Sequence, residues 1–130
     1  MDRFWAKVDR SGPLPAEGTL AYGSGHCWLW RSSPKRNRYP TFWSGRAYVS
    51  VHRFVYEQVA GPIPKGHQID HLCGVTNCVR PDHLEAVTPK TNVRRFWSTK
   101  RYRRDRGLPP LVTWWPASSE VNPVQIQESA

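Results

Sequence analysis

The stretch Ile69–Leu84, "IDHLCGVTNCVRPDHL", gathers residue types that bind metals. Four residues separate Cys73 from Cys78, and four more separate Cys78 from His83. Zn²⁺ prefers four sulfur or nitrogen ligands in a tetrahedron, so three such ligands lie within one loop. Because Cys27 is the remaining cysteine, we predict a closed structural zinc site formed by these three cysteines and His83.

Two other interpretations of these residues stay open at this stage. The cysteines can be small buried hydrophobic residues while His83 caps a turn, and His26 can compete as the fourth ligand. A disulfide framework is not expected, because the chain has three cysteines and Met1–Arg10 lacks the apolar run of a secretion signal. In a chain of 130 residues, a zinc ion would hold the N-terminal sheet to the later elements and compensate for a small core.

The charge of the chain predicts a polyanionic partner. Nineteen Lys and Arg against ten Asp and Glu leave a net charge of +9, with seven tryptophans interleaved. Positive charge is concentrated in residues 31–53 and 90–106. DNA and RNA both fit this pattern, and a merely solvated basic surface is the alternative. No apolar stretch approaches the roughly 20 residues that span a bilayer, so we expect a cytoplasmic protein without a membrane partner.

The pattern before the Cys/His loop, which we define as residues 73–83, predicts a helix, a sheet and a second helix. Phe4, Trp5 and Val8 have helical spacing before a stop at Gly12-Pro13. Aromatic-rich alternating runs over residues 27–51 predict a twisted antiparallel sheet of about three strands. The next helix should present Phe54, Val55, Gln58 and Val59 on one face and end at Gly61.

Around the Cys/His loop the order is strand, loop, strand, helix, with Thr88 as N-cap and Pro89 in the first turn. We therefore predict an α+β fold with one domain over residues 1–106. Its parts are an antiparallel DNA-contacting sheet over 27–53 and a ββα core over 66–104. Residues 107–130 form a Pro-rich tail that is disordered, or that lays Trp114 and Trp115 on the domain or on a partner subunit.

Asp70, His71 and Asn92 are not explained by the zinc site. A neutral imidazole fixed on a strand can remove a proton from water. An Asn or Asp oxygen on a neighbouring element is a hard ligand that suits Mg²⁺ beside a phosphate. Together these residues predict a one-metal phosphodiesterase site, in which His71 activates water and the ion stabilises the phosphate and the departing 3′ oxygen.

Several segments resemble a known family, the HNH endonucleases of the His-Me finger (ββα-metal) superfamily. They are "RFWAKVDRSG", "CWLW", "HRFVYEQVAGPIPKG", "IDHLC" and "TNVRR". The chain is similar to the small free-standing members common in phage genomes, and its Cys/His loop resembles that of the Cys/His-box homing endonucleases. The resemblance covers about residues 3–96 and is most specific over 52–95.

This resemblance implies a zinc-stabilised ββα-metal core with His71 as general base. It implies that Asn92 binds the catalytic divalent ion and that Asp70 is a second ligand. Arg53 matches an arginine that would hold the scissile phosphate. For Arg53 the alternative is a helix residue that faces solvent or pairs with Glu57.

Double-stranded DNA is the partner implied by the resemblance. A basic antiparallel sheet fits a major groove and can contact both phosphates and base edges. The sheet residues predicted to bind DNA are Arg31, Lys35, Arg36, Arg38 and Arg46. Arg94 and Arg95 on the last helix should reach the backbone near the cut. Homing relatives often dimerise, so a homodimer through "LVTWW" at residues 111–115 stays open beside a mobile tail.

The function predicted from the sequence is a metal-dependent DNA endonuclease encoded by a phage or mobile element. The alternative is a zinc-stabilised DNA-binding module that does not cut and serves regulation or genome packaging. One position departs from the family pattern, because Arg80 stands where an asparagine usually braces the loop. This departure predicts a less rigid Cys/His loop, in which Asn77 would supply some of the missing hydrogen bonds.

Overall fold

The computed structural model describes residues 2–31 and 39–117. The elements in chain order are α1 (Asp2–Trp5), β1 (Val8–Asp9), β2 (Leu29–Trp30), β3 (Thr41–Trp43), β4 (Tyr48–Ser50), α2 (Val51–Ala60), β5 (Gln68–His71), β6 (Leu84–Val87) and α3 (Pro89–Asp105). A 3₁₀ turn at Pro81–His83 leads into β6. The predicted α+β fold class is confirmed. Among the described helices, none is long and apolar enough to cross a membrane.

The predicted ββα unit consists of β5, β6 and α3. The two strands pair antiparallel, with His71 opposite Leu84. α3 begins at the predicted residue because the Thr88 hydroxyl accepts a hydrogen bond from the Thr91 N–H and Pro89 fits the first turn. This direct connection lays α3 against β5.

The predicted three-stranded sheet over residues 27–51 is wrong in its pairing. Among the described residues, β2 pairs with β1, and β3 pairs with β4 in a separate hairpin. The other edge of β2 is occupied by the Cys/His loop, since Leu29 forms a bridge with Cys78 and the Trp30 N–H donates to the Asn77 carbonyl. β2 therefore has no free edge for β3.

The first helix is shorter than the helical spacing of Phe4, Trp5 and Val8 predicted. It ends at Trp5, and Val8 and Asp9 are extended in β1. The Lys7 carbonyl accepts a 2.7 Å hydrogen bond from the Arg31 N–H as the chain pairs with β2. Pairing across the chain thus replaces the helical hydrogen bonds that would have continued α1.

The second helix ends where the sequence predicted, at Gly61 with φ of 94°. Its buried face differs from the predicted one. The buried residues are Val51, His52 and Val55, while Gln58 and Val59 are exposed. β4 leads directly into α2, so the first turn packs on the core and the last turn projects into solvent.

Two small cores contain the buried apolar side chains. One surrounds Phe4, whose ring centroid lies 4.9 Å from that of Trp30 and 5.1 Å from those of Phe42 and Phe54. The other contains the three cysteines together with Ala21, Leu29 and Val75. Burial alone gives such small cores limited stability, so a cross-link through the cysteines would contribute to the fold.

The described part of the tail packs on the Cys/His loop; we call residues 108–117 the C-terminal strap. The Thr113 carbonyl accepts hydrogen bonds from the N–H and the hydroxyl of Thr76 at 2.7 and 2.8 Å. The buried Asn77 side chain donates to the Trp115 carbonyl at 2.6 Å and accepts from its N–H at 3.2 Å. Of the alternatives for the tail, packing on the domain surface holds for this segment.

Candidate functional site

The four predicted zinc ligands form one buried cluster. The ligand atoms of Cys27, Cys73, Cys78 and His83 all lie within 4.8 Å of one another. The Nδ1 atom of His83 is 3.7 Å from the Cys27 Sγ and 3.5 Å from the Cys78 Sγ. Nitrogen and sulfur ligands of a tetrahedral zinc ion stand about 3.6 Å apart. The cluster is therefore compatible in donor type and size with a structural metal such as zinc.

A serine outside the cluster orients His83. The Ser24 Oγ lies 2.8 Å from His83 Nε2, and the Ser24 hydroxyl donates to the Ala21 carbonyl. Since that hydroxyl has already used its proton, it accepts from Nε2–H and leaves the Nδ1 lone pair directed at the thiols. Hydrogen bonds of this kind orient metal-binding imidazoles. No sequence pattern marked Ser24 for this role.

Contacts among the thiols separate their pKa values. Hydrogen bonds with Cys73 and Cys78, followed by burial, raise the pKa of Cys27 far above its usual range. Burial also acts to raise the pKa of Cys78, but hydrogen bonds from Cys27 and Cys73 oppose it, and this pKa lies well below the usual value. One thiolate is thus favoured, and a thiolate is the form that binds a metal.

Arg80 braces the Cys/His loop, so the expectation of a loosened loop is wrong. Its Nε donates to the Asp82 carboxylate at 2.6 Å, and its NH1 donates to the His26 carbonyl at 2.9 Å. The guanidinium also lies 5.4 Å from the Trp28 ring centroid. The imidazole of His26 is bound elsewhere, with Nδ1 2.7 Å from the Gly12 carbonyl, so His26 does not join the cluster.

His71 stands at the end of β5 with its ring buried. The imidazole forms a hydrogen bond with the backbone of Cys78, and its Nε2 has no hydrogen-bond partner among the described residues. The bond to the loop therefore uses Nδ1, and a proton there leaves a lone pair on Nε2. Burial lowers the pKa of His71 to about 4, against a smaller opposing effect of Cys78. The ring is thus neutral at pH 7.

Two further rings enclose His71. The Tyr39 ring stacks on it with centroids 5.6 Å apart and planes 14° apart, and the His52 ring lies 5.0 Å away. Burial, followed by the charges of His71 and Arg53, lowers the pKa of His52 to about 3. No sequence pattern assigned a role to His52 or to Tyr39. Both residues are distant from His71 along the chain, so only the fold reveals them.

Asp70 is partly buried beside His71 and is bonded to a basic residue. Arg95 NH1 donates to the Asp70 Oδ2 at 3.1 Å and also to the Glu85 carboxylate. Burial raises the pKa of Asp70, and the hydrogen bond and charge of Arg95 oppose this shift. Arg95, predicted to bind DNA, is therefore ion-paired in this structure.

The ββα unit brings the predicted catalytic residues to one cavity. Asp70, His71 and Asn92 all line a cavity of about 810 Å³ between β5, α3 and the C-terminal strap. The Asn92 side-chain nitrogen donates to Gln68 Oε1 at 2.8 Å. This bond fixes the amide and leaves its oxygen as an acceptor for another group.

The other predicted cations that the structure describes lie outside this cavity. Arg53 is exposed on α2 and does not line it. The exposed side chains at predicted DNA-contacting positions are those of Arg31, Arg46 and Arg94. The predicted positions Lys35, Arg36 and Arg38 lie outside the described residues.

Comparison with known proteins agrees with the cluster and the ββα unit. A family model described as HNH endonuclease matches residues 49–94, which run from within β4 through α2, β5, the Cys/His loop and β6 to the start of α3. The chain belongs to this family. The family consists generally of nucleases.

Relatives of the chain occur in phages. Protein 7.7 of Escherichia phage T7 is 33% identical over 87 residues, which cover 67% of this chain and 67% of that protein. The uncharacterized gene 5.3 protein of Enterobacteria phage T3 is 40% identical over 48 residues, covering 37% of this chain and 48% of the relative. Protein 2.8 of phage T7 is 32% identical over 71 residues, covering 53% and 48%. The chain thus spans about half of the last two relatives. No solved structure matches it.

Proposed function

We propose that this protein is a divalent-metal-dependent endonuclease that hydrolyses phosphodiester bonds in double-stranded DNA. The observation that carries the proposal is the environment of His71. Its ring is neutral, one nitrogen is bonded to the Cys/His loop, and the other has no partner among the described residues. Because His71 shares its cavity with Asp70 and Asn92, a base and two oxygen ligands converge there.

In the proposed reaction His71 is the general base. Its Nε2 takes a proton from water as the water oxygen attacks the phosphorus. The bond between phosphorus and the 3′ oxygen breaks, and the 3′ oxygen takes a proton from solvent, so the products carry a 5′ phosphate and a 3′ hydroxyl. The hydrogen bond to the Cys78 backbone orients the ring and stabilises the imidazolium formed in this step.

Asp70 and Asn92 are the proposed ligands of the catalytic ion, Mg²⁺ or a similar divalent cation. Each retains an oxygen that these bonds do not use, because Arg95 bonds one carboxylate oxygen and Gln68 bonds the amide nitrogen. Such oxygens are the ligands that hard divalent cations prefer. When bound, the ion supplies stabilisation of negative charge on the phosphate and the departing oxygen.

The cysteine cluster is proposed to hold a second, structural zinc ion. Three thiolates and one imidazole complete a tetrahedral set, which leaves no position for water or substrate. The ligands come from the segment before β2 and from the Cys/His loop, so the ion would join these two parts of the chain. Because a closed site has no position for substrate, the cluster would affect cleavage only indirectly. It would do so by holding the fold and the loop that bonds His71.

The proposed DNA surface includes exposed cations from two parts of the chain. Arg31 and Arg46 belong to the β-rich part of the chain, while Arg94 lies on α3 near Asn92. Lys35, Arg36 and Arg38 are proposed to extend this surface. Arg53 is proposed to hold the scissile phosphate, which requires the DNA to reach α2 as well as α3.

Plasmid cleavage in the presence of Mg²⁺ tests the catalytic proposal. Replacing His71 by Ala should slow nicking about 10²–10⁴-fold, which is the usual contribution of a general base. His67→Ala is the matched control, because His67 lies on the loop before β5, its imidazole bonds the Lys65 carbonyl of the same loop, and it does not line the cavity. Equal cleavage by wild type and His71→Ala, with zinc content and circular dichroism unchanged, would reject the role of His71.

A zinc-stabilised DNA-binding module that does not cut is the second candidate. One observation favours this candidate: Arg95 pairs with Asp70. A side chain of the protein itself thus already neutralises a carboxylate that is proposed to bind the metal ion. This candidate requires DNA binding without cleavage across several divalent cations and random-sequence substrates. Sequencing the DNA ends after incubation distinguishes the two, since only the endonuclease generates new 5′ phosphates.

A further inference from the structure

An apolar stripe on α3 is more than half exposed to solvent. Val93, Phe96 and Trp97 stand three and four residues apart, so they lie on one side of the helix. Their exposed fractions are 57%, 53% and 55%. Large apolar side chains exposed together in this way mark a binding surface more often than isolated ones do.

This stripe belongs to the same cavity as the proposed catalytic residues. Phe96 and Trp97 line that cavity together with His71 and Asn92. Phe96 follows Asn92 by four residues, which is about 6 Å along a helix axis. Nucleotides in one strand of a duplex rise about 3.4 Å each. The aromatic pair is therefore placed within about two nucleotides of a phosphate held at Asn92.

The surroundings of the stripe favour a nucleic acid over a second copy of the chain. Positive side chains flank it at Arg94, Lys100, Arg101 and Arg104. Lys100 Nζ lies 5.6 Å from the Phe96 ring centroid and 5.3 Å from that of Trp97. In a symmetric dimer these cations would face one another, whereas the phosphates of DNA would neutralise them.

We infer that Phe96 and Trp97 stack on an unpaired or unstacked base next to the scissile phosphate. In an intact duplex the faces of the bases are covered by neighbouring pairs, so aromatic rings on a rigid helix reach them only where stacking is interrupted. The rings of Phe96 and Trp97 meet edge to face, with planes 66° apart, so they do not cover each other by parallel stacking. The inference rests on the proposed function and narrows its substrate to DNA that is bulged, gapped or readily opened.

Binding without added Mg²⁺ tests this inference, because no cleavage is needed. Fluorescence anisotropy would compare a paired duplex with the same duplex carrying one unpaired 2-aminopurine. Wild type should bind the unpaired form about tenfold more tightly and quench the 2-aminopurine, as expected for one stacked base. Phe96→Ala/Trp97→Ala should lose both effects, and it should fold because both side chains are exposed and Ala favours helices.

Two control variants define the role of the rings. Phe96→Tyr/Trp97→Phe keeps aromatic faces and should keep the preference, while Tyr22→Ala removes an exposed aromatic residue elsewhere and should change nothing. Equal affinity of wild type for both DNAs, or an unchanged preference in the double Ala variant, overturns the inference. The inference is also overturned if wild type is a dimer, the double Ala variant is a monomer, and both prefer the unpaired base equally.

The same samples separate this inference from the proposed function. If wild type nicks plasmid DNA but shows no preference for the unpaired base, the inference fails and the endonuclease proposal stands. If wild type binds neither DNA, both fail. If it prefers the unpaired base but never cuts, the stacking surface stands and the non-cutting module replaces the endonuclease.

Discussion

Single hydrogen bonds orient the histidines in both halves of the candidate site. Ser24 determines which nitrogen of His83 faces the thiols, and the Cys78 backbone does the same for His71. The two histidines thus present opposite ring nitrogens, Nδ1 of His83 to the cluster and Nε2 of His71 to a position without a hydrogen-bond partner among the described residues. A metal-binding and a proton-accepting imidazole can therefore lie close together without exchanging roles.

Removing the Ser24 hydroxyl should weaken zinc binding. In Ser24→Ala the imidazole of His83 loses the hydrogen bond that orients it, so we expect about 10–100-fold lower zinc affinity. Competition with a chromogenic chelator measures the change. Ser44→Ala is the control, because the Ser44 hydroxyl bonds only within its exposed hairpin. Equal zinc affinity in both variants would mean that the loop alone orients His83.

At the scale of elements, α3 connects most parts of the site. Its first turns carry Asn92 and Arg95, and its middle carries the exposed aromatic pair. Near its end Arg103 donates to the Glu17 carbonyl at 2.8 Å and to the Pro109 carbonyl at 2.7 Å. A change in the position of α3 would therefore affect the proposed metal ligands and the anchoring of the C-terminal strap together.

Weakening the N-cap of α3 should destabilise the fold measurably. Thr88→Ala removes the hydroxyl that accepts from the Thr91 N–H, at a cost of about 1 kcal/mol in the free energy of unfolding. Urea denaturation followed by circular dichroism measures this cost. Thr88→Ser should retain most of the stability, and Ser98→Ala, at an exposed position within the helix, should cost nothing. A similar loss in Ser98→Ala would show that the effect does not come from the cap.

The features predicted correctly from the sequence depend on local patterns. Residues close together in the sequence determine three of these features: the ββα order, the cap at Thr88 and the end of α2 at Gly61. The cluster was also predicted, because ligand chemistry left few candidates. The pairing of β1 with β2 and the Arg95–Asp70 ion pair join residues far apart in the chain, and periodicity carries no information about such contacts.

At the scale of the whole molecule, the chain combines high positive charge with two small cores. A net charge of +9 on 130 residues destabilises a compact state through self-repulsion. The three cysteines of the cluster share one of these cores with Leu29 of β2 and Val75 of the Cys/His loop. We therefore expect the native structure to depend on metal.

Metal removal should unfold the protein. Native mass spectrometry should find about one zinc ion per chain, as expected for a single tetrahedral site. Cys78→Ser should lose the ion and the native circular dichroism spectrum together. Chelator treatment of wild type should have the same effect, which zinc should reverse and Mg²⁺ should not. Soluble protein that is folded but contains no zinc would contradict this expectation.

The C-terminal strap has a consequence for the order in which the molecule is built. All four cluster ligands have left the ribosome once His83 has emerged, whereas the backbone of Trp115 is 38 residues beyond Asn77. A nascent chain can thus bind metal while the amide of Asn77 still meets water. The dry environment of that amide arises only after translation has passed the strap. We therefore expect the Cys/His loop to bind its metal while it is still open and to be covered afterwards by the C-terminal strap.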